Sequence, residues 1–457
     1  MSGPKVVRIV TLEEVMAICR GHLARLDAAV KSWRRRCEKH GLATDAEIEA
    51  VLERQRAIHA LLRREAFLDL QKQAPQEIAF LLDDFEERLA KASERSARKR
   101  TYARRLAGTA AALITSLETN GIVVPSELSD ALVAIRGGNI EAPETAEAAL
   151  SRAFGLLAPG DEKAGPSEHQ PALAERLGEG EKTETFSDWL AGRGSTDDAR
   201  SEEIDRYIAE LEQVEGGEAA RSFGERAARI AAELSPERRA MLTDSLRVEL
   251  AAHSHERRER DRLLSELSGL VAEFEAVAGA DSAVSKRAEM IGAEHDGQAA
   301  RAMVEDLRSK IDAHRNAIGA CARRKAVLEA LSGLGYQVRE GMETLWANNG
   351  HVTLRSARRP DYGVKLSGGK EGGAMQFRAV GFGRPDPARD AGRERDVELL
   401  WCSDFNQLKT LMAETGGEFI VEHASQAGQF PLEYVEAATT DTRAAPAERR
   451  PMTRQLP

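Results

Sequence analysis

Residue types that could do chemistry are thinly spread, and the densest set is basic. Between Lys91 and Arg105 stand Lys91, Arg95, Arg98, Lys99, Arg100, Arg104 and Arg105, against the single acid Glu94. A helical face of this kind can track phosphates, and Arg98, Lys99, Arg100, Arg104 and Arg105 are its candidate contacts. Tyr102 is the one aromatic among them, so stacking on bases is not indicated. The same face could instead meet an acidic partner, and the chain carries one. Residues 161–220 hold 6 Lys and Arg against 17 Asp and Glu, whereas residues 1–115 hold 22 against 16. His253 and His255 are two apart on a helical stretch, so their side chains diverge and cannot chelate one metal. With Arg257, Arg258, Arg260 and Arg262 beside them, they read as a solvated polar face. His314 falls in an apolar seam, where one polar group can fix register. Cys402 follows Trp401 with no base placed beside it by motif, and reads as a buried structural thiol.

Two short segments suggest catalysis and then fail on spacing. Gly363-Val-Lys-Leu-Ser-Gly-Gly-Lys370 resembles a phosphate loop. Such a loop must end in Gly-Lys-Ser/Thr and enter a helix whose N-terminus holds the phosphate. Here Glu371 follows the lysine and strands flank both sides. Pro360-Asp361-Tyr-Gly-Val-Lys365 resembles the acid, acid-x-Lys arrangement of metal-dependent nucleases. Two carboxylates are needed to hold the divalent cation, and the second position is Gly363. No catalytic residue, cofactor or metal ligand is therefore expected.

Composition narrows the function classes. Charged residues make up 31% of the 457 and aromatics 5%, a balance that suits long helices with solvated faces. No stretch approaches the ~20 apolar residues of a spanning helix, so no membrane partner is expected. Met1 to Val10 lacks the apolar core of a secretory signal. Cys19, Cys37, Cys321 and Cys402 are far apart and read as reduced thiols, which implies a cytoplasmic protein.

The elements that would position these residues are mostly helical. Thr11-Leu-Glu-Glu14 and Thr44-Asp-Ala-Glu47 are capping boxes that open the first two helices. Leu12, Val15, Cys19, Leu23, Leu26, Val30, Trp33 and Cys37 form one apolar stripe on the first, and Gly41 closes it. Pro75 is expected to interrupt the third helical run. Ser235-Pro236 is a helix start. Leu263, Leu267, Leu270, Phe274 and Val277 step by three and four, as do Val304, Leu307, Ile311, His314, Ile318 and Cys321. These seams predict a short antiparallel coiled-coil hairpin. After Gly335 the period changes to two. Residues 336–339, 344–347, 351–355, 362–366 and 375–380 read as strands, the helix around Val397 to Met412 covers them, and 418–423 adds another strand.

The fold class is thus mainly α: helical hairpins and a short coiled coil, then a small α+β domain with an antiparallel sheet covered by a helix. The expected divisions are 1–158 helical, 159–200 an acidic Pro/Gly-rich linker, 201–333 the coiled-coil region, 334–436 the α+β domain and 437–457 a disordered tail. Within the linker, Phe186, Trp189 and Leu190 share one helical face and are candidates for partner docking. The function expected is a non-catalytic intracellular scaffold or adaptor that joins other protein subunits through helical seams and the sheet domain. Seams of this kind also admit a homo-oligomer. The alternatives are a nucleic-acid-associated accessory protein using the basic stripe, and an enzyme with an unrecognised site in the C-terminal domain.

Overall fold

The computed structural model describes residues 3–138, 142–157, 196–368, 374–383, 391–414 and 416–435. Helix α1 (Leu12–His40) starts where the Thr11 hydroxyl accepts the Glu14 amide at 3.4 Å. The reciprocal half of that capping box is not made, because the Glu14 carboxylate accepts from Arg323 Nη1 at 2.7 Å. Gly41 ends α1 in the left-handed region, φ 61°. Helix α2 (Asp45–Arg63) has the full box of Thr44 and Glu47. Backbone and hydroxyl hydrogen bonds from Thr44, then the Arg88 guanidinium, hold the Glu47 carboxyl down at about 2.

Helix α3 (Phe67–Thr119) runs unbroken through Pro75, contrary to the expected interruption. The proline forfeits the amide that would bond the Gln71 carbonyl. Leu70, Ala74 and Leu81, all buried around it, keep the helix on course. At 1.5 Å per residue its 53 residues span about 80 Å. Helices α4 (Ser126–Arg136) and α5 (Pro143–Leu157) pack on its far end, around Leu106, Leu117, Leu132 and Leu150.

Helices α6 (Thr196–Val214), α7 (Gly217–Ala231), α8 (Pro236–Ala278), α9 (Ser282–Glu294) and α10 (Gly297–Gly333) follow. Leu267, Leu270 and Phe274 of α8 share one core with Val304, Leu307 and Ile311 of α10. Beyond Ile311 the expected seam is left behind. His314 is exposed, with its ring edge-on to Phe274 at 5.8 Å, and Cys321 is exposed as well. Gly319, Ala320 and Arg323 point inward in their place. Helix α1 explains the change: it packs against α8 and α10 as well as α3, so the seam has a third helix to meet.

Helix α11 (Met342–Asn349), strands β2 (His351–Arg355), β3 (Tyr362–Gly368) and β4 (Ala374–Phe382), helix α12 (Ala391–Glu414), and strands β5 (Glu418–Ala424) and β6 (Glu433–Val435) complete the chain. The fold is mainly α, twelve helices among the described residues, with a small α+β unit. Two expected strands are absent. Residues 344–347 lie in α11, because Met342, Leu345 and Trp346 follow the helical spacing. Residues 336–339 supply one bridge, Tyr336 to Ser356. One strand was not expected at all: β1 (Lys5–Val10) enters the middle of the sheet. The order is β2-β3-β4-β1-β5, antiparallel, with β6 parallel to β4. Lys5 faces Phe377 on one side and Ala424 on the other. The sheet is therefore built from both ends of the chain. Its core holds Val7, Ile9, Trp346, Phe377 and Trp401, and Val327, Leu328 and Leu331 from α10 join it.

Candidate functional site

The basic stripe lies on α3 and faces α6. Arg104 Nη2 donates to both oxygens of Asp205 at 2.6 Å, and the Thr101 hydroxyl donates to the same carboxylate at 3.2 Å. Arg100 pairs with Glu212, and Arg105 lies 3.6 Å from Glu202. Three of the five candidate phosphate contacts are thus engaged by acids of the segment whose charge is opposite. Arg98 pairs with Glu94 on its own helix at 2.6 Å, and Lys99 is exposed. Phe186, Trp189 and Leu190 lie outside the described residues, as do the Gly369 to Gly373 loop, 158–195 and the tail beyond 435.

A second charged cluster joins α6 to α8. Glu210 is buried and accepts from Arg257, from Arg258 at 2.9 and 3.1 Å, and from the Ser254 hydroxyl at 3.1 Å. Burial works against its charge, but Arg258 and Arg257 outweigh it and hold the Glu210 carboxyl below its ordinary value. Arg257, read from sequence as part of a solvated face, is buried to 3% exposure. His253 Nε2 meets Glu215 at 3.1 Å, while His255 is exposed.

In the sheet domain, the catalytic-looking segments have structural duties. Gly363 lies in β3, where a Cβ would collide with the Leu354 carbonyl, so no acid can stand there. Lys365 donates to Glu433 at 2.5 Å, tying β3 to β6. Among the described residues, no group of three His, Cys, Asp or Glu is placed to hold a metal. The Tyr336 hydroxyl donates to Asp404 at 2.8 Å. Burial first, then that carboxylate, pushes its pKa up.

Two features escaped the sequence reading. Lys5 sits on the buried face of β1 at 3% exposure, its ammonium 4.5 Å from the centre of the Phe405 ring, beside Cys402 and Glu398. The other is an open sheet edge. Among the described residues, strand β5 pairs with β1 on one side only, and Ile420 and Val421 are exposed on it.

No protein-family model, curated protein or solved structure matches this chain. Its charged clusters join helices to one another, and among the described residues β5 has a neighbour on one side. No helix among the described residues is long and apolar enough to cross a membrane.

Proposed function

We propose that the chain is a non-catalytic intracellular scaffold or adaptor that joins other protein subunits. The observation that carries this reading is the β5 edge. A strand paired on one side offers its other row of amides and carbonyls to an incoming strand. Native edges are commonly blunted by charge or proline; β5 carries Glu418 and Glu422, and between them Ile420 and Val421 are each at least 40% exposed. The state of the basic stripe favours the same reading over nucleic acid. Arg100, Arg104 and Arg105 already spend their charge on α6, and the chain as a whole carries a net charge of -10, which repels phosphates at long range.

Affinity purification of the full chain from its native cells tests this, followed by the same experiment with the double variant Ile420→Lys, Val421→Lys. We expect a defined protein partner, recovered in equal amount after nuclease treatment and lost in the double variant, whose melting temperature matches the parent. Recovery that requires nucleic acid would overturn the reading, as would a partner indifferent to the edge.

A further inference from the structure

Helices α1, α3 and α8 enclose a cleft of about 270 Å³. Its walls are mostly apolar, among them Trp33, Ile78, Leu82 and Phe85, and Arg262 and Glu266 line it as well. A cation stands toward each end: Arg25 beside Gly269, and Arg36 with its guanidinium 3.7 Å from the centre of the Phe85 ring. Eleven residues of helix separate the two on α1, about 16 Å along the axis.

Both cations are held only loosely by the carboxylates around them. At one end Arg257 and Arg258 hold Glu210, and Arg257 also donates to Asp261 at 2.9 Å. Arg36 comes third and reaches Asp261 only at 3.6 Å. Glu86 is committed with both oxygens to Arg262, at 3.0 and 3.1 Å. Exposed Glu259 lies 3.6 Å from that same Arg262. At the other end Arg315 hydrogen-bonds Glu273, and Arg25 reaches the same carboxylate only at 3.6 Å. Glu266 is taken by Arg308. In each cluster the other guanidiniums take the close contacts, and one is held by a carboxylate only at 3.6 Å. In each, the loosely held one lines the cleft. Nearby His22 feels the positive charge: burial first, then Arg315 and Arg25, push its pKa down.

We infer that this cleft binds an elongated amphiphile, an apolar body with an anionic group at each end. Its body would cover the aromatic and aliphatic walls. Its anionic ends would give Arg25 and Arg36 closer carboxylates than those at 3.6 Å, as charge-assisted hydrogen bonds in a partly desolvated site. The inference stands apart from the β5 edge and does not depend on the scaffold reading.

Calorimetric titration of the full chain with decanedioate, its monomethyl ester and its dimethyl ester tests it. We expect one diacid per chain, binding about tenfold more weakly for each end neutralised, since a tenfold change is worth about 1.4 kcal/mol, close to the lower end of what one charged hydrogen bond contributes. Arg25→Gln and Arg36→Gln should each erase the advantage of the diacid over the monoester. Both variants should fold, because Glu273 keeps Arg315 and Asp261 keeps Arg257. Gly269→Leu should abolish binding. A Cβ at that position comes no closer than 3.8 Å to the Arg25 side chain, an ordinary contact, and Gly269 lines the cleft that the rest of the side chain would enter. Ser265→Leu is a second filler from the same wall should the first unfold. No saturable binding of the diacid, equal affinity for diacid and diester, or binding untouched by the filled cleft would each overturn the assignment.

Discussion

Lys5 occupies a position that Val7 and Ile9 would lead one to expect to be apolar. Its ammonium is buried without a hydrogen-bond acceptor of its own. Desolvation lowers its pKa from 10.5, opposed in part by Cys402 and Glu398. The unfolded chain therefore binds more protons than the folded one between the lowered value and 10.5, and in that window stability rises with pH. Cys37, pushed up to about 11 by burial, acts in the opposite sense as pH climbs, so the comparison must be between variants. Lys5→Met should stabilise the fold by about 1 kcal/mol at pH 7, the order of cost of one unsatisfied buried polar group. That gain should shrink as pH is raised toward 10. Melting temperatures of both proteins across this range provide the check. A variant less stable than the parent at pH 7 would mean that the contacts with Phe405 and Glu398 outweigh desolvation.

At the scale of elements, what was legible was local. The stripe on α1, the caps at Thr44, Gly41 and Ser235, and the strands β2 to β5 are written in spacing and punctuation. What was hidden depended on a partner far along the chain. Arg257 looks like any surface arginine until Glu210 arrives from α6. Strand β1 has four β-branched residues in six, a clear strand signal, but its neighbours are β4 and β5 at the opposite terminus. Residues 344–347 are ambiguous for a local reason: an apolar run that short fits both periods, and it is Gly341 and Gly350, both in the left-handed region, that bound it as a helix. The basic stripe was legible as a charged face, but its pairing with Asp205 depends on α6, about a hundred residues further along the chain. Gly319 is another instance. By propensity alone, alanine there should stabilise α10 by about 1 kcal/mol. In the fold its Cβ would lie 2.8 Å from Glu14 Cδ and 3.0 Å from Arg323 Nη1, against an ion pair that joins α1 to α10. We expect Gly319→Ala to destabilise by about 1–2 kcal/mol. In a Glu14→Ala background the same change should become neutral or stabilising, and urea unfolding of the four proteins of this cycle measures the coupling. Equal effects in both backgrounds would show that the ion pair does not occupy the glycine's space.

At the scale of the whole molecule, the helical body and the sheet are joined in two ways. Helix α10 runs from one core into the other, carrying Val327, Leu328 and Leu331 under the sheet. Strand β1 then passes directly into α1 through Thr11. The second link makes the sheet depend on the first ten residues. Val7 and Ile9 are fully buried, and burying side chains of that size is worth about 2 kcal/mol each. Without β1, strands β4 and β5 would also lose their shared neighbour and the backbone hydrogen bonds it makes. The helical cores around Leu26, Leu132 and Leu307 draw no residue from β1. Deleting residues 2–10 should therefore spare most of the helical circular dichroism while loosening the sheet domain. Trp346 and Trp401 are buried in that domain and report on it once Trp33 and Trp189, the other two tryptophans, are replaced by Phe in both proteins. Their emission should shift to longer wavelength and become open to acrylamide quenching, with a separate, earlier melting transition. In refolding of the intact chain, these tryptophans should become protected after the helices form, because pairing between the two ends must close the longest loop in the molecule. A deletion variant with the parent's emission and a single unchanged transition would show that the sheet stands without its central strand.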